Sequence, residues 1–156
     1  MKNYPDSDEV IKNRIQRFCV YQERCSRDVE MRLNGWKVTP GKMKKFITEL
    51  KEENFLDDLR FARLFVHGKL SIKHWGRKKI TFELKMKGIT GKIITLALDD
   101  IDETQYLEVL TSLIMKKIKE IKAGKNLNKR EKLINFALGK GFEFDLILQT
   151  LNHLNI

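Results

Sequence analysis

The stretch WGRKKITFELKMKGITGK, residues 75–92, reads both as strand and as helix, and the choice fixes the fold. Ile80, Phe82, Leu84 and Met86 alternate with Lys79, Thr81, Glu83, Lys85 and Lys87, the pattern of a half-buried strand. Gly88 and Thr90 instead look like the end of one helix and the start of the next. Internal repetition decides between them. Stepped back by 51, Ile80, Leu84, Ile89, Thr90, Ile94, Leu98 and Ile101 fall on Val29, Leu33, Val38, Thr39, Met43, Ile47 and Leu50. Stepped forward by 53, they fall on Leu133, Ala137, Phe142, Glu143, Ile147, Leu151 and Leu154, and Gly88 falls on Gly141. Position 82 becomes Met31 and Asn135, and position 86 becomes Gly35 and Gly139. Only the columns of 80 and 84 stay apolar, and those lie four apart on one helical face. The stretch is therefore a helix.

Its neighbours obey the same rules. Thr39 and Thr90 are expected to cap the following helix by accepting from its free N–H groups. Pro40 suits the first helical position, where a missing N–H costs nothing. That helix carries Met43, Phe46, Ile47 and Leu50 in one copy, and Ile94, Ala97, Leu98 and Ile101 in the next. A longer amphipathic segment precedes each pair. It runs Val10 to Cys19 in the first copy, with Ser7, Asp8 and Glu9 at its start. In the second, Asp57 and Asp58 lead into Phe61, Leu64, Phe65 and Ile72, and acids suit a helix N-terminus. In the third it runs from about Glu103 to Lys122 through Tyr106, Leu110, Leu113, Ile114 and Ile118. The prediction is an all-α, elongated, curved array of three tandem three-helix repeats, bounded as 1–56, 57–103 and 104–156. Units of some fifty residues bury little alone and lean on one another. Lys122–Lys129 is the expected loose loop.

The 156 residues carry a formal net charge of +10. The excess is +3, +3 and +4 in the three units, so no tail holds it. A polyanion or an acidic surface is the natural partner. The longest apolar-rich run, residues 93–98, is far shorter than the ~20 residues a bilayer demands, and the opening MKNYPDSDEV lacks the apolar core of a secretory signal. Cys19 and Cys25 are too few for a disulfide scaffold and lack a metal-site spacing, so they are read as reduced thiols of a cytoplasmic protein.

Enzyme motifs fall short. Gly88-Ile-Thr-Gly-Lys92 lacks the glycine spacing and trailing hydroxyl of a phosphate loop, and a helix stop followed by a helix start accounts for both glycines. His67, His74 and His153 show no metal spacing or readable triad. Asp57-Asp58 and Asp99-Asp100 fit helix ends. No catalysis, metal or cofactor is expected. What remains is cationic: eight Lys/Arg lie between Lys69 and Lys92 against Glu83 alone. Arg77, Lys78 and Lys79 open a helix, where they oppose its dipole, and this points to a use beyond the fold. Arg27, and Arg130 with Lys132, recur at the same corner, as a basic track for phosphate would require. Trp36 and Trp75 are candidates for base stacking, with buried packing the stronger reading.

The stretch Phe55-Leu-Asp-Asp-Leu-Arg-Phe-Ala62 resembles a motif of the regulatory protein RecX family. The likeness continues through Trp75-Gly-Arg77, Leu84-x-x-Lys-Gly-Ile89 and Ala97-Leu98, with Cys25-Ser-Arg27 to Trp36-Lys-Val38 before it and Lys140-Gly-Phe142 after. Asn54 and Lys37 stand where the family has glycine, which puts local turn geometry in question. The resemblance implies three tandem three-helix repeats. It also implies a partner, the RecA filament on single-stranded DNA, whose strand exchange, ATP turnover and co-protease activity such proteins dampen. On that reading the contact residues are Arg60, Arg63, Arg77, Lys78, Lys79, Lys85 and Lys87, near DNA phosphate, in a monomer. Arg60 has an internal ion pair as its alternative role. The rival reading is a stand-alone helix-turn-helix-like DNA-binding protein, although its third helices carry no consistent groove-reading set. An all-α scaffold for another acidic partner is a third.

Overall fold

The computed structural model describes residues 6–121 and 128–156. Among these there are nine α-helices and no strand: α1 Asp8–Tyr21, α2 Ser26–Gly35, α3 Pro40–Glu52, α4 Asp58–Ser71, α5 Arg77–Met86, α6 Gly91–Asp99, α7 Glu103–Glu120, α8 Lys129–Gly139 and α9 Phe144–His153. The ambiguous stretch is thus α5 and its flanks. Ile80 and Leu84 are fully buried, whereas Phe82 and Met86 are each 60% exposed, so the apparent alternation belonged to two different faces. The third helix of the first set is longer than expected, 13 residues against 14 for α1. Of the expected loop, residues 122–127 lie outside the described residues, and Lys129 already opens α8.

Local chemistry explains the boundaries. The long helices are capped by side chains: Ser7, Asp57 and Asp102 accept from the N–H groups of Val10, Arg60 and Gln105 at 3.3, 3.0 and 2.8 Å. Thr39 and Thr90 occupy N-cap positions, yet neither side chain accepts a capping bond. Their share is the extended backbone, φ −68° at both, and Pro40 sits in the first turn as expected. The turn after each second helix places a residue in the left-handed region: Lys37 (φ 58°), Gly88 (75°) and Gly141 (93°). Lys37 therefore keeps the turn geometry that glycine provides elsewhere, at the cost of its Cβ. Asn54 does the same before α4, at φ 62°.

Two cores hold the chain, fewer than its three units. The first gathers Ile11, Ile15, Val29, Leu33, Phe46 and Leu50 from α1–α3, together with Leu56 from the following loop. The second runs without interruption from α4 to α9, and includes Phe61, Ile80, Leu84, Tyr106, Ile114, Phe142 and Ile147. Cys25 of the first unit inserts into this second core. The molecule exposes 10580 Å². A compact monomer of this mass exposes about 8,200 Å², so the array is extended. We propose 56/57 and 103/104 as its unit divisions.

Candidate functional site

The cationic corner is built where α5 begins. Gly76, its N-cap, has no room for a side chain: a Cβ would lie closer than 3.0 Å to the backbone of Gly141 and Phe142. The two segments are stitched by backbone hydrogen bonds, Gly76 N–H to Lys140 O at 2.8 Å and Lys78 N–H to Gly141 O at 3.0 Å. The N–H of Arg77 donates to the Tyr106 hydroxyl at 3.0 Å, which donates in turn to Glu143 Oε2 at 2.6 Å. Burial, reinforced by Glu143, pushes the Tyr106 phenol far above its ordinary value, so it stays a neutral donor. The Arg77 guanidinium lies 3.9 Å from the Tyr106 ring centroid and pairs with Glu103 and Glu143. Arg77 thus has a use within the fold that its position against the dipole had seemed to deny it. Its partners lie 26 to 66 residues away, beyond any local reading.

Several other expected contact residues are engaged within the fold. Arg60 donates from Nε to Glu23 Oε2 at 2.9 Å and from Nη2 to Asn54 O at 3.1 Å, the internal role foreseen for it. The bond to Glu23 raises the Arg60 pKa further. Arg63 pairs with Asp100 at 2.6 Å. Lys87 pairs with Asp28 at 3.4 Å and lies 5.6 Å from the Phe61 ring centroid. Lys79 sits 4.5 Å from the Trp75 ring centroid. Lys78 and Lys85 make no ion pair among the described residues, and both are exposed. With Phe82 and Met86 they form the outer face of α5. The two tryptophans pack partly buried against the cores, Trp36 against the first and Trp75 against the second.

The recurring corners are also structural. Arg27 donates to Met86 O at 2.7 Å, closing the C-terminal end of α5 from the neighbouring unit. Arg130 donates to Ile156 O and to Asn152 Oδ1. The motif Phe55–Ala62 turns out to be a joint between cores. Leu56 is buried in the first core; Asp57 caps α4; Asp58 receives both the N–H and the hydroxyl of Ser26 at 2.8 Å; Phe61 and Ala62 enter the second core. Cys25, beside this joint, is fully buried, and burial pushes its thiol up to about 11. Among the described residues no group of three His, Cys, Asp or Glu could hold a metal ion, and no helix is long and apolar enough to cross a membrane.

The sequence reading missed a third cationic group. Arg14, Arg17, Arg24 and Arg32 surround Phe18, Tyr21 and Trp36 on the outer side of α1 and α2. Each residue was visible, but their assembly requires α1 to be packed on α2.

Residues 57–98 match the family model of the RecX second three-helix domain, and residues 103–151 that of its third. A regulatory protein RecX of Clostridium botulinum is 30% identical over 151 residues, covering 94% of this chain and 70% of the relative. One of Finegoldia magna is 29% identical over 136 residues, covering 85% and 65%. One of Streptococcus pyogenes is 28% identical over 144 residues, covering 92% and 55%, so the chain spans about half to two thirds of such relatives. The fold is also that of the crystal structure of RecX from Lactobacillus salivarius, with a TM-score of 0.86, 24% identity, and 95% and 96% of the two chains covered.

Proposed function

The chain belongs to the RecX family, and on that premise we propose that it is a RecA modulator without catalytic activity of its own. It binds the RecA filament on single-stranded DNA and lowers strand exchange, ATP turnover and co-protease activity. An extended array suits a groove between filament subunits, and bridging them hinders extension or favours disassembly. The observation that carries the contact assignment is the outer face of α5. Lys78 and Lys85 stand there without ion pairs among the described residues, beside Phe82 and Met86, both 60% exposed. Large exposed apolar groups set among free cations mark a surface that gains by being covered. Lys79 extends the face, while Arg60, Arg63, Arg77 and Lys87 support it through their internal pairs.

A RecA ATPase time course on single-stranded DNA, with this protein at substoichiometric amounts, tests the reading. Hydrolysis is expected to fall with time. Lys78→Ala combined with Lys85→Ala should require several-fold more protein for the same inhibition and weaken its salt dependence. Unchanged hydrolysis with the wild-type chain overturns the function; full inhibition by the double variant overturns only the contact face. Alanine at Arg77 is a poor probe, because it also strips Glu103 and Glu143 of their guanidinium partner and uncovers the Tyr106 ring.

A further inference from the structure

The arginine–aromatic group of the first repeat lies outside the face just described. The guanidinium of Arg14 lies 4.2 Å from the Trp36 ring centroid, and that of Arg24 lies 4.0 Å from that of Phe18. Arg32 reaches both rings, at 4.8 Å from Phe18 and 5.8 Å from Trp36. Arg17 and Tyr21 complete the lining of a groove of about 510 Å³, and Tyr21 is 85% exposed. Among the described residues the lining holds four arginines and no carboxylate. One outside acid, Asp6, pairs with Arg14 at 2.6 Å. Like charges gathered this closely repel, and no described residue of the lining neutralises Arg17, Arg24 or Arg32.

The geometry points to a binding site for single-stranded nucleic acid, with the arginines on phosphates and Tyr21 under a base. The rings of Phe18 and Trp36 hold three guanidiniums in place, which reduces what must be ordered when a phosphate docks. Arg14, Arg17, Phe18 and Tyr21 follow one stripe of α1 that is about 10 Å long. At roughly 3.4 Å per stacked nucleotide, that length faces about three phosphates of one strand. An exposed ring at the end of such a stripe offers a stacking surface to any base, whatever its identity. An acidic peptide without aromatic side chains would find the charge but would give the exposed tyrosine nothing flat to stack on. The site is independent of the filament reading, since no recombinase is needed to fill it.

The test is fluorescence anisotropy of a labelled oligo-dT strand, titrated with the full chain alone at several salt concentrations. An oligo-rU strand in parallel distinguishes DNA from RNA as the source of the phosphodiester. Binding of either strand is expected to weaken about tenfold or more in Arg17→Ala/Arg24→Ala. Its salt slope should flatten by about 1.4, at roughly 0.7 for each phosphate no longer neutralised. Tyr21→Ala should weaken binding several-fold with the slope unchanged. Lys44→Ala/Lys45→Ala removes the same charge from exposed positions of α3 and should change binding less than the arginine pair by far. Circular dichroism checks that each variant folds. The site is overturned if neither strand binds, if the lysine pair costs as much as the arginine pair, or if Tyr21→Ala is silent. Polyglutamate competing as well as oligo-dT at equal charge would also overturn it, by making the groove a surface for acidic protein.

Discussion

The two joints of the array are built from different materials. Between the second and third repeats the backbones touch: Gly76 meets Gly141, three N–H groups cross the joint, and α4 packs on α7 within one shared core. Between the first and second, side chains bridge two separate cores. Asp58 grips Ser26, Arg27 reaches the end of α5, Arg60 meets Glu23, and Cys25 plugs the gap. A shared apolar core makes two units fold and move as one. A joint of hydrogen bonds and ion pairs leaves each unit its own core, and so its own margin of stability. The second and third repeats thus share one core, while the first keeps its own and lends Cys25 to its neighbour.

The comparison can be broken most sharply at Gly141. Its φ of 93° and the Lys79 backbone beside it leave no place for a methyl group. Gly141→Ala should cost about 3 kcal/mol or more, read from urea denaturation. A cost under about 1 kcal/mol would mean that the second joint yields as easily as the first. Next comes Asp58→Ala, which leaves the N–H and hydroxyl of Ser26 without acceptors. A loss of about 1–3 kcal/mol is expected, with strong coupling to Ser26→Ala in a double-mutant cycle. Additive losses would show that the two residues do not act as a clamp.

The Cys25 thiol is raised from 9.0 to about 11 by burial, so the folded state keeps a proton that the unfolded state releases earlier. The resulting stability is fully present below about pH 9 and is lost as pH rises toward 11. The difference between wild type and Cys25→Ala isolates this slope from the other titrating groups. Parallel curves would show that the thiol is not desolvated at the joint. The smallest effect is expected at Lys37. Lys37→Gly relieves a left-handed Cβ and should stabilise by about 0.5–1 kcal/mol, measured by thermal denaturation. Asn54→Gly should gain less, since asparagine tolerates that region better. A larger gain at Asn54 would place the strain at the joint between repeats instead of inside the first.

Much of this was legible beforehand. The columns of Ile80 and Leu84 identified helices because burial repeats every three or four residues within each element, and that signal is local. Ser7 and Asp57 at helix starts follow from the same short range, whereas Thr39 and Thr90, expected as caps, make no side-chain capping bond. The uses of the cations were less legible. Arg77, placed against its own helix dipole, looked spare until Tyr106, Glu103 and Glu143 were brought to it by α7 and α9. Arg60 carried its internal alternative from the start because Asp57 and Asp58 stood nearby, yet its actual partner is Glu23, 37 residues away. Lys78 and Lys85 could be distinguished from their paired neighbours only once every acid had a place.

The amino-acid sequence by itself determined the helices, their order, their threefold repetition and the sign of the charge. These depend on spacing along one chain, and 3.6 residues per turn converts spacing into faces without help from distant residues. Tertiary structure alone decided that two repeats pool a core while one stands apart. It also decided which cations are spent on internal carboxylates, and that four arginines and three aromatic rings line one groove. Those outcomes depend on how rigid helices sit against one another, and electrostatic pairing is set by a few ångströms of placement that no periodic pattern specifies.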